Sequence, residues 1–138
     1  MNHYTYEEIR IGQEEQFLVT ITQDMQDQFR KITGDLNPLH ADDAYAARKG
    51  HPSRVVFGML SASFLSTLAG MYLPGEHSLI HSVEIKLRKP VYIGDTLQIC
   101  GTVSDKSDAV KIIQVKFVMT NQDGVKVAKG EMQIGVEV

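Results

Sequence analysis

The residues with the most chemistry per unit length form one short run, Gly34-Asp35-Leu36-Asn37-Pro38-Leu39-His40. It sets a carboxylate, an amide and an imidazole on a single loop. One reading is local: Asp35 and Asn37 close side-chain turns, Pro38 fixes the backbone, and His40 opens the next helix. The other reading is an acid/base pair. An Asp and a His in a closed, half-apolar cleft can titrate apart and pass a proton in either direction. A second run follows, Arg54-Val55-Val56-Phe57-Gly58-Met59-Leu60-Ser61-Ala62-Ser63. Gly58 stands at the entrance of an apolar helix. Its backbone N–H and the positive helix end suit a developing oxyanion on a ligand carbonyl, while a plain structural reading has Gly58 only permitting close backbone packing.

Other site chemistries find less support. His3, His40, His51, His77 and His81 include no His-Glu-x-x-His, and His77 and His81 straddle a turn-to-strand boundary. No metal site or cofactor is expected from such spacing. The single cysteine, Cys100, permits neither an intrachain disulfide nor a thiolate zinc cluster.

The elements that must hold these residues follow from periodicity. Glu15 to Ile21 is rich in strand formers. Thr22 is a helix N-cap with Asp24 in the first turn, Met25, Phe29 and Ile32 recur at helical spacing, and Gly34 stops the helix. Ala41 to Lys49 reads as a short helix ended by Gly50. From Met59 to Tyr72 apolar residues occur all round the helical wheel, so that helix must be enclosed on most sides.

The remainder alternates with period two. Leu79, His81, Val83, Ile85 and Leu87 share one phase, then Leu97, Ile99, Gly101 and Val103, then Ile113, Val115, Phe117 and Met119. Asn121 to Gly124 marks a turn. In the last strand Val125 and Val127 hold one phase and Ala128, Gly130, Met132, Ile134 and Val136 the other, a slip that predicts a β-bulge near Val127. An antiparallel sheet around one apolar helix is an α+β arrangement.

A length of 138 residues suits one domain, and 43% hydrophobic with 22% charged residues excludes a mainly disordered or fibrous chain. No repeat or linker interrupts it, so one domain over residues 1–138 is expected. The net charge of −3 argues against nucleic acid as main partner. Val55 to Gly75 is uncharged and long enough to cross a bilayer, but Gly58, Gly70, Pro74 and four hydroxyl residues interrupt it. It reads as a buried helix rather than a membrane span. Met1 to Gly12 lacks the basic-then-apolar order of a secretion signal, so a cytoplasmic protein is expected.

Taken together, Phe29, the run Gly34 to His40, Ala46, Ala47, Arg54-Val55-Val56, Gly58 to Ser63 and Ser66 resemble the MaoC-like, type 2 enoyl-CoA hydratase family, which includes the (R)-specific enoyl-CoA hydratases. Arg88-Lys89-Pro90-Val91-Tyr92-Ile93-Gly94-Asp95 is similar to the family's segment leading into the later strands. The resemblance implies a hotdog fold, a long central helix wrapped by a curved antiparallel sheet, in a homodimer or a higher oligomer of dimers. It implies reversible hydration of a trans-2-enoyl thioester to an (R)-3-hydroxyacyl thioester, carried by CoA or an acyl-carrier protein. By the same resemblance Asp35 and His40 are the catalytic pair acting on one water, in an order the sequence leaves open. Asn37 positions groups in the site, Gly58 offers its N–H to the thioester oxygen, and Ser66 hydrogen-bonds the catalytic loop. Phe57 and Met59 belong to the pocket; Phe57 stands where many relatives carry histidine, a departure that bears on acyl preference. Carrier-protein dehydration or thioester hydrolysis on the same fold, and an acyl-thioester binding protein without turnover, are the competing readings. For a CoA tail Arg48, Lys49, Arg54, Arg88 and Lys89 are candidate cations, each also readable as solvated surface charge.

Overall fold

A computed structural model describes residues 1–137. A 3-10 turn, Tyr6–Glu8, precedes strand β1, Glu14–Thr20, and helix α1, Gln23–Thr33. Thr22 caps α1 by accepting the Met25 N–H, and Gly34 ends it in the left-handed region at φ 70°, its N–H donating to the Arg30 carbonyl. Both ends were marked in the sequence. The expected core stripe of α1 is half right, however. Met25 and Phe29 pack inward, but Ile32 is 81% exposed and Gln26 is buried instead.

A second 3-10 turn, Pro38–His40, leads to helix α2, Asp43–Arg48. This helix starts two residues later than the alanine-rich stretch suggests. Ala41 still closes the 3-10 turn on Pro38, and Asp42 caps the helix by accepting the Tyr45 N–H. Helix α3, Gly58–Thr67, then runs into a π-helical turn, Leu68–Tyr72. The predicted single helix therefore widens at its end, where the Leu73 N–H reaches back to the Leu68 carbonyl.

Four strands complete the chain: β2, Ser78–Leu87; β3, Thr96–Ser107; β4, Ile112–Thr120; and β5, Lys126–Val136. With β1 they form one antiparallel sheet in the order β1-β3-β4-β5-β2. The α+β expectation holds. The inner phases of β3, β4 and β5 are buried as their alternation predicts. At Gly101 the missing side chain admits Leu68 from the helix layer, because a Cβ there would lie 2.8 Å from the Leu68 Cδ2.

The β-bulge falls where the phase slip places it. Met119 pairs with Ala128 while Thr120 pairs with Lys126, which leaves Val127 as the extra residue. A second shift, between Ile80 and Ser82, corrects the expected phase of β2. Ile80, Val83, Ile85 and Leu87 lie opposite Ile134, Met132, Gly130 and Ala128, and directly opposed residues share a face. Leu79 is thereby turned to the outer face.

Enclosure of α3 is incomplete within one chain. Leu60, Ser61 and Leu65 are buried, but Met59 on the opposite flank is 64% exposed. The edge strand beside it leaves Val83 46% and Leu87 51% exposed. One sheet covers one side of the helix. No described helix is long and apolar enough to cross a membrane.

Candidate active site

The loop after α1 is built by its own side chains. Thr33 accepts the Asp35 N–H at 3.2 Å, Asp35 Oδ1 accepts the Asn37 N–H at 3.0 Å, and Asn37 Oδ1 accepts the Leu39 N–H at 3.0 Å. The local-turn reading of Asp35 and Asn37 is therefore realised in the structure. It occupies one oxygen of each side chain and leaves the second carboxylate oxygen of Asp35 and the amide nitrogen of Asn37 without a hydrogen bond among the described residues. Asp35 is exposed in the single chain.

His40 is more constrained. Its Nδ1 lies 2.7 Å from the Val55 carbonyl oxygen, and its ring stacks on Phe57 at 4.1 Å between centroids. Phe57 is buried and in turn meets Phe29 at 5.1 Å. The segment carrying Val55 is fixed from three directions. Val55 donates to the Leu39 carbonyl, Val56 donates to the Val91 carbonyl, and Arg54 pairs with Asp43 of α2 at 2.9 Å. The hydrogen bonds from Arg54, side chain first and then backbone N–H, hold the Asp43 carboxyl below its ordinary range.

Sequence reasoning missed the residue that ties these parts together. The buried Gln26 amide donates to the His40 carbonyl at 3.0 Å and to the Val55 carbonyl at 3.1 Å, while its oxygen accepts the Phe57 N–H at 3.2 Å. One side chain thus joins α1, the loop and the approach to α3. The sequence does not set it apart, since α1 carries three glutamines, Gln23, Gln26 and Gln28, and only Gln26 is buried.

Immediately after Phe57, α3 begins at Gly58 with no side chain capping it. The first N–H groups of a helix have no intrahelical acceptor, so this end offers unpaired donors and a positive dipole. Gly58 and His40 line one cavity of about 260 Å³, together with Ser61, Leu87 and the rim residues Arg88 and Lys89. The Val127 bulge sets that rim, since its carbonyl accepts the backbone N–H groups of both Arg88 and Lys89, at 2.8 and 3.2 Å.

Of the residues singled out in the sequence, the cavity brings together His40, Gly58 and the candidate cations Arg88 and Lys89, while Arg48, Lys49 and Arg54 are not among its lining. Asp35 and Asn37 lie on the adjoining loop, and Phe57 backs the imidazole from the core. Met59 and Ser66 stand on the exposed flank of α3, and Ser66 makes no side-chain hydrogen bond among the described residues. No three His, Cys, Asp or Glu side chains converge among the described residues as a metal-ligand set would.

Known proteins share this architecture closely. The unliganded R-hydratase PhaJ1 of Pseudomonas aeruginosa superimposes with a TM-score of 0.90 at 29% identity, covering 96% of this chain and 85% of that one. The (R)-hydratase from A. caviae also gives 0.90, at 27% identity over 94% of this chain and 98% of that one. The hotdog fold implied by the sequence resemblance is the fold found. The (R)-specific enoyl-CoA hydratase of Rhodospirillum rubrum is 32% identical over 134 residues, 97% of this chain and 92% of that protein. The family model for the MaoC like domain matches residues 8–125, a span that takes in the Asp35–His40 loop, the entrance of α3 and strands β1 to β4. By that match, the chain belongs to the MaoC-like domain family.

Proposed function

We propose that the protein catalyses the reversible hydration of trans-2-enoyl-CoA thioesters to (R)-3-hydroxyacyl-CoA, with Asp35 and His40 acting on one water. The observation that carries this reading is the shared cavity of His40 and Gly58, an imidazole beside an uncapped helix entrance. Relatives named as (R)-specific enoyl-CoA hydratases supply the reaction class and the product hand. The Val55 carbonyl can only accept, so neutral His40 carries its proton on Nδ1 and presents the Nε2 lone pair.

In the forward direction the water's hydroxyl adds to C3, the C2=C3 π bond breaks, and a proton is delivered to C2. Asp35 and His40 together accept and return that proton, so both end in their starting states. Charge that builds on the thioester oxygen meets the Gly58 N–H and the positive end of α3, where one such donor is typically worth about 3–4 kcal/mol. Asn37 and Ser66 serve as positioning residues, and Phe57 and Met59 shape the acyl pocket. Arg88 and Lys89 at the rim suit the anionic phosphates of CoA.

The working unit in this proposal is a homodimer. The apolar strip of Met59, Val83 and Leu87 and the unpaired edge of β2 call for a partner surface, and a partner seated there would also cover Ser66, which shares the exposed flank of α3 with Met59. Action on an acyl-CoA pool fits a cytoplasmic setting. Loss of the conjugated enoyl absorbance of crotonyl-CoA is the test. Turnover is expected; none with any chain length, as CoA or carrier-protein thioester, would discard the reading, and release of free thiol would replace it with hydrolysis.

A further inference from the structure

We propose that Ser61 is a second hydrogen-bond donor to the thioester oxygen, acting beside the Gly58 N–H. The inference rests on the proposed placement of that oxygen at the entrance of α3. Ser61 is 2% exposed, and its hydroxyl has no hydrogen-bond partner among the described residues. Buried hydroxyls are nearly always paired, so an orphan calls for an explanation. The usual outlet for a helical serine is a carbonyl three or four residues back. Ser63 takes it, donating to the Leu60 carbonyl at 2.6 Å. Ser61 does not, and the Phe57 carbonyl four residues before it already accepts the N–H groups of Leu60 and Ser61.

Placement supplies the second half of the argument. Ser61 lines the cavity shared by His40 and Gly58. It lies three residues into α3, on the face that carries Gly58, and the Cα–Cβ bonds of a helix tilt toward its N-terminus. The Cα–Cβ bond of Ser61 therefore leans toward the Gly58 end, where the unpaired backbone donors are. Ser66, the serine marked in the sequence, lies about 140° further round the helix, on its exposed flank. A carbonyl oxygen held at the helix entrance would satisfy the Gly58 N–H and the Ser61 hydroxyl at once.

The test compares the wild type with Ser61→Ala and Ser61→Thr by two measurements. The first is kcat and KM for crotonyl-CoA hydration, with melting temperature as the folding control. Ser61→Ala should lower kcat by about 10- to 100-fold with KM little changed, as for loss of one oxyanion donor. Its melting temperature should be equal or higher, because an unpaired polar group has been removed. Ser61→Thr, which keeps the hydroxyl, should stay within several-fold of wild type. The second is the carbonyl stretching frequency of bound, isotope-labelled butyryl-CoA, a saturated thioester that cannot be hydrated. It should lie higher in Ser61→Ala than in the wild type. A shifted band in a wild type without hydration would sink the proposed reaction and leave the donor in place. Unchanged kcat and an unchanged band in Ser61→Ala, or equal losses in the two variants, would overturn the assignment of Ser61.

Discussion

The His40 imidazole and the Val55 carbonyl are joined by a contact of 2.7 Å at Nδ1. Because a carbonyl has no proton to give, this contact places the neutral ring's proton on Nδ1 and leaves the Nε2 lone pair free. It also makes the position of Val55 part of the site, although Val55 itself has no reactive group. The same carbonyl receives the Gln26 amide.

Replacing Gln26 by leucine should therefore reach the chemistry without touching substrate. The His40 carbonyl and the Phe57 N–H lose their partner, and a buried group left unpaired costs about 1–3 kcal/mol. Lower stability is expected in denaturant melts, with kcat reduced more than KM because the imidazole and the helix entrance lose their common anchor. Wild-type kcat in a folded Gln26→Leu variant would show that the anchor is dispensable.

Gly58→Ala tests the tightness of the pocket wall. An added Cβ would lie 2.5 Å from the Leu87 Cδ1, so Leu87 must swing aside. Leu87 has a flexible side chain on an edge strand, half-exposed in the single chain, and its terminal methyl can turn aside, so the fold should tolerate the change with a modest fall in melting temperature. The displaced side chain alters the cavity beside His40, so KM should rise, more for longer acyl chains. An unchanged chain-length profile would show that the part of the cavity lined by Leu87 does not hold the acyl chain.

Much of this was legible in the sequence, for physical reasons that particular residues illustrate. Thr22 and Gly34 announce the ends of α1 because capping and positive φ select residue types locally, and the slip at Val127 announces its bulge because strand alternation admits no other cheap solution. The phase at the start of β2 is hidden in the sequence because Leu79 and Ile80 are both apolar and either can open the inner phase, so the bulge at His81 leaves no break in the alternation. Gln26 and Ser61 escaped notice for a different reason. Their meaning lies in which carbonyls and cavities surround them, and those are set by tertiary contacts across 14 to 31 residues of chain in the case of Gln26.

The Asp43–Arg54 pair predicts a pH dependence. Asp43 has its carboxyl pKa lowered by Arg54, so its contribution to stability is complete above the ordinary carboxylate pKa of about 4 and is lost as pH falls through the lower folded value. The melting temperature of Asp43→Asn should fall short of wild type by a constant amount between about pH 6 and 8, and the gap should close in acid. A gap that persists unchanged at the lowest pH would assign the effect to something other than this charge. Added salt should narrow it, since Asp43 is exposed and Arg54 only partly buried.

Cys100 should be inert in the folded protein. Burial first, and then the neighbouring Glu14 carboxylate, push its thiol up to about 11. At pH 8 roughly one molecule in a thousand would carry the reactive thiolate. Aromatic disulfide reagents should label it slowly in the native state and at once after unfolding. Rapid native labelling would contradict the raised thiol pKa of this partly buried side chain.

The most direct test of the central claim is the crotonyl-CoA hydration rate of Asp35→Asn measured beside wild type, with the product's hand determined. The account predicts (R)-3-hydroxybutyryl-CoA from the wild type and a rate at least about a hundredfold lower in a variant of unchanged fold. A wild-type rate in Asp35→Asn would contradict it and move the proton transfer away from the loop.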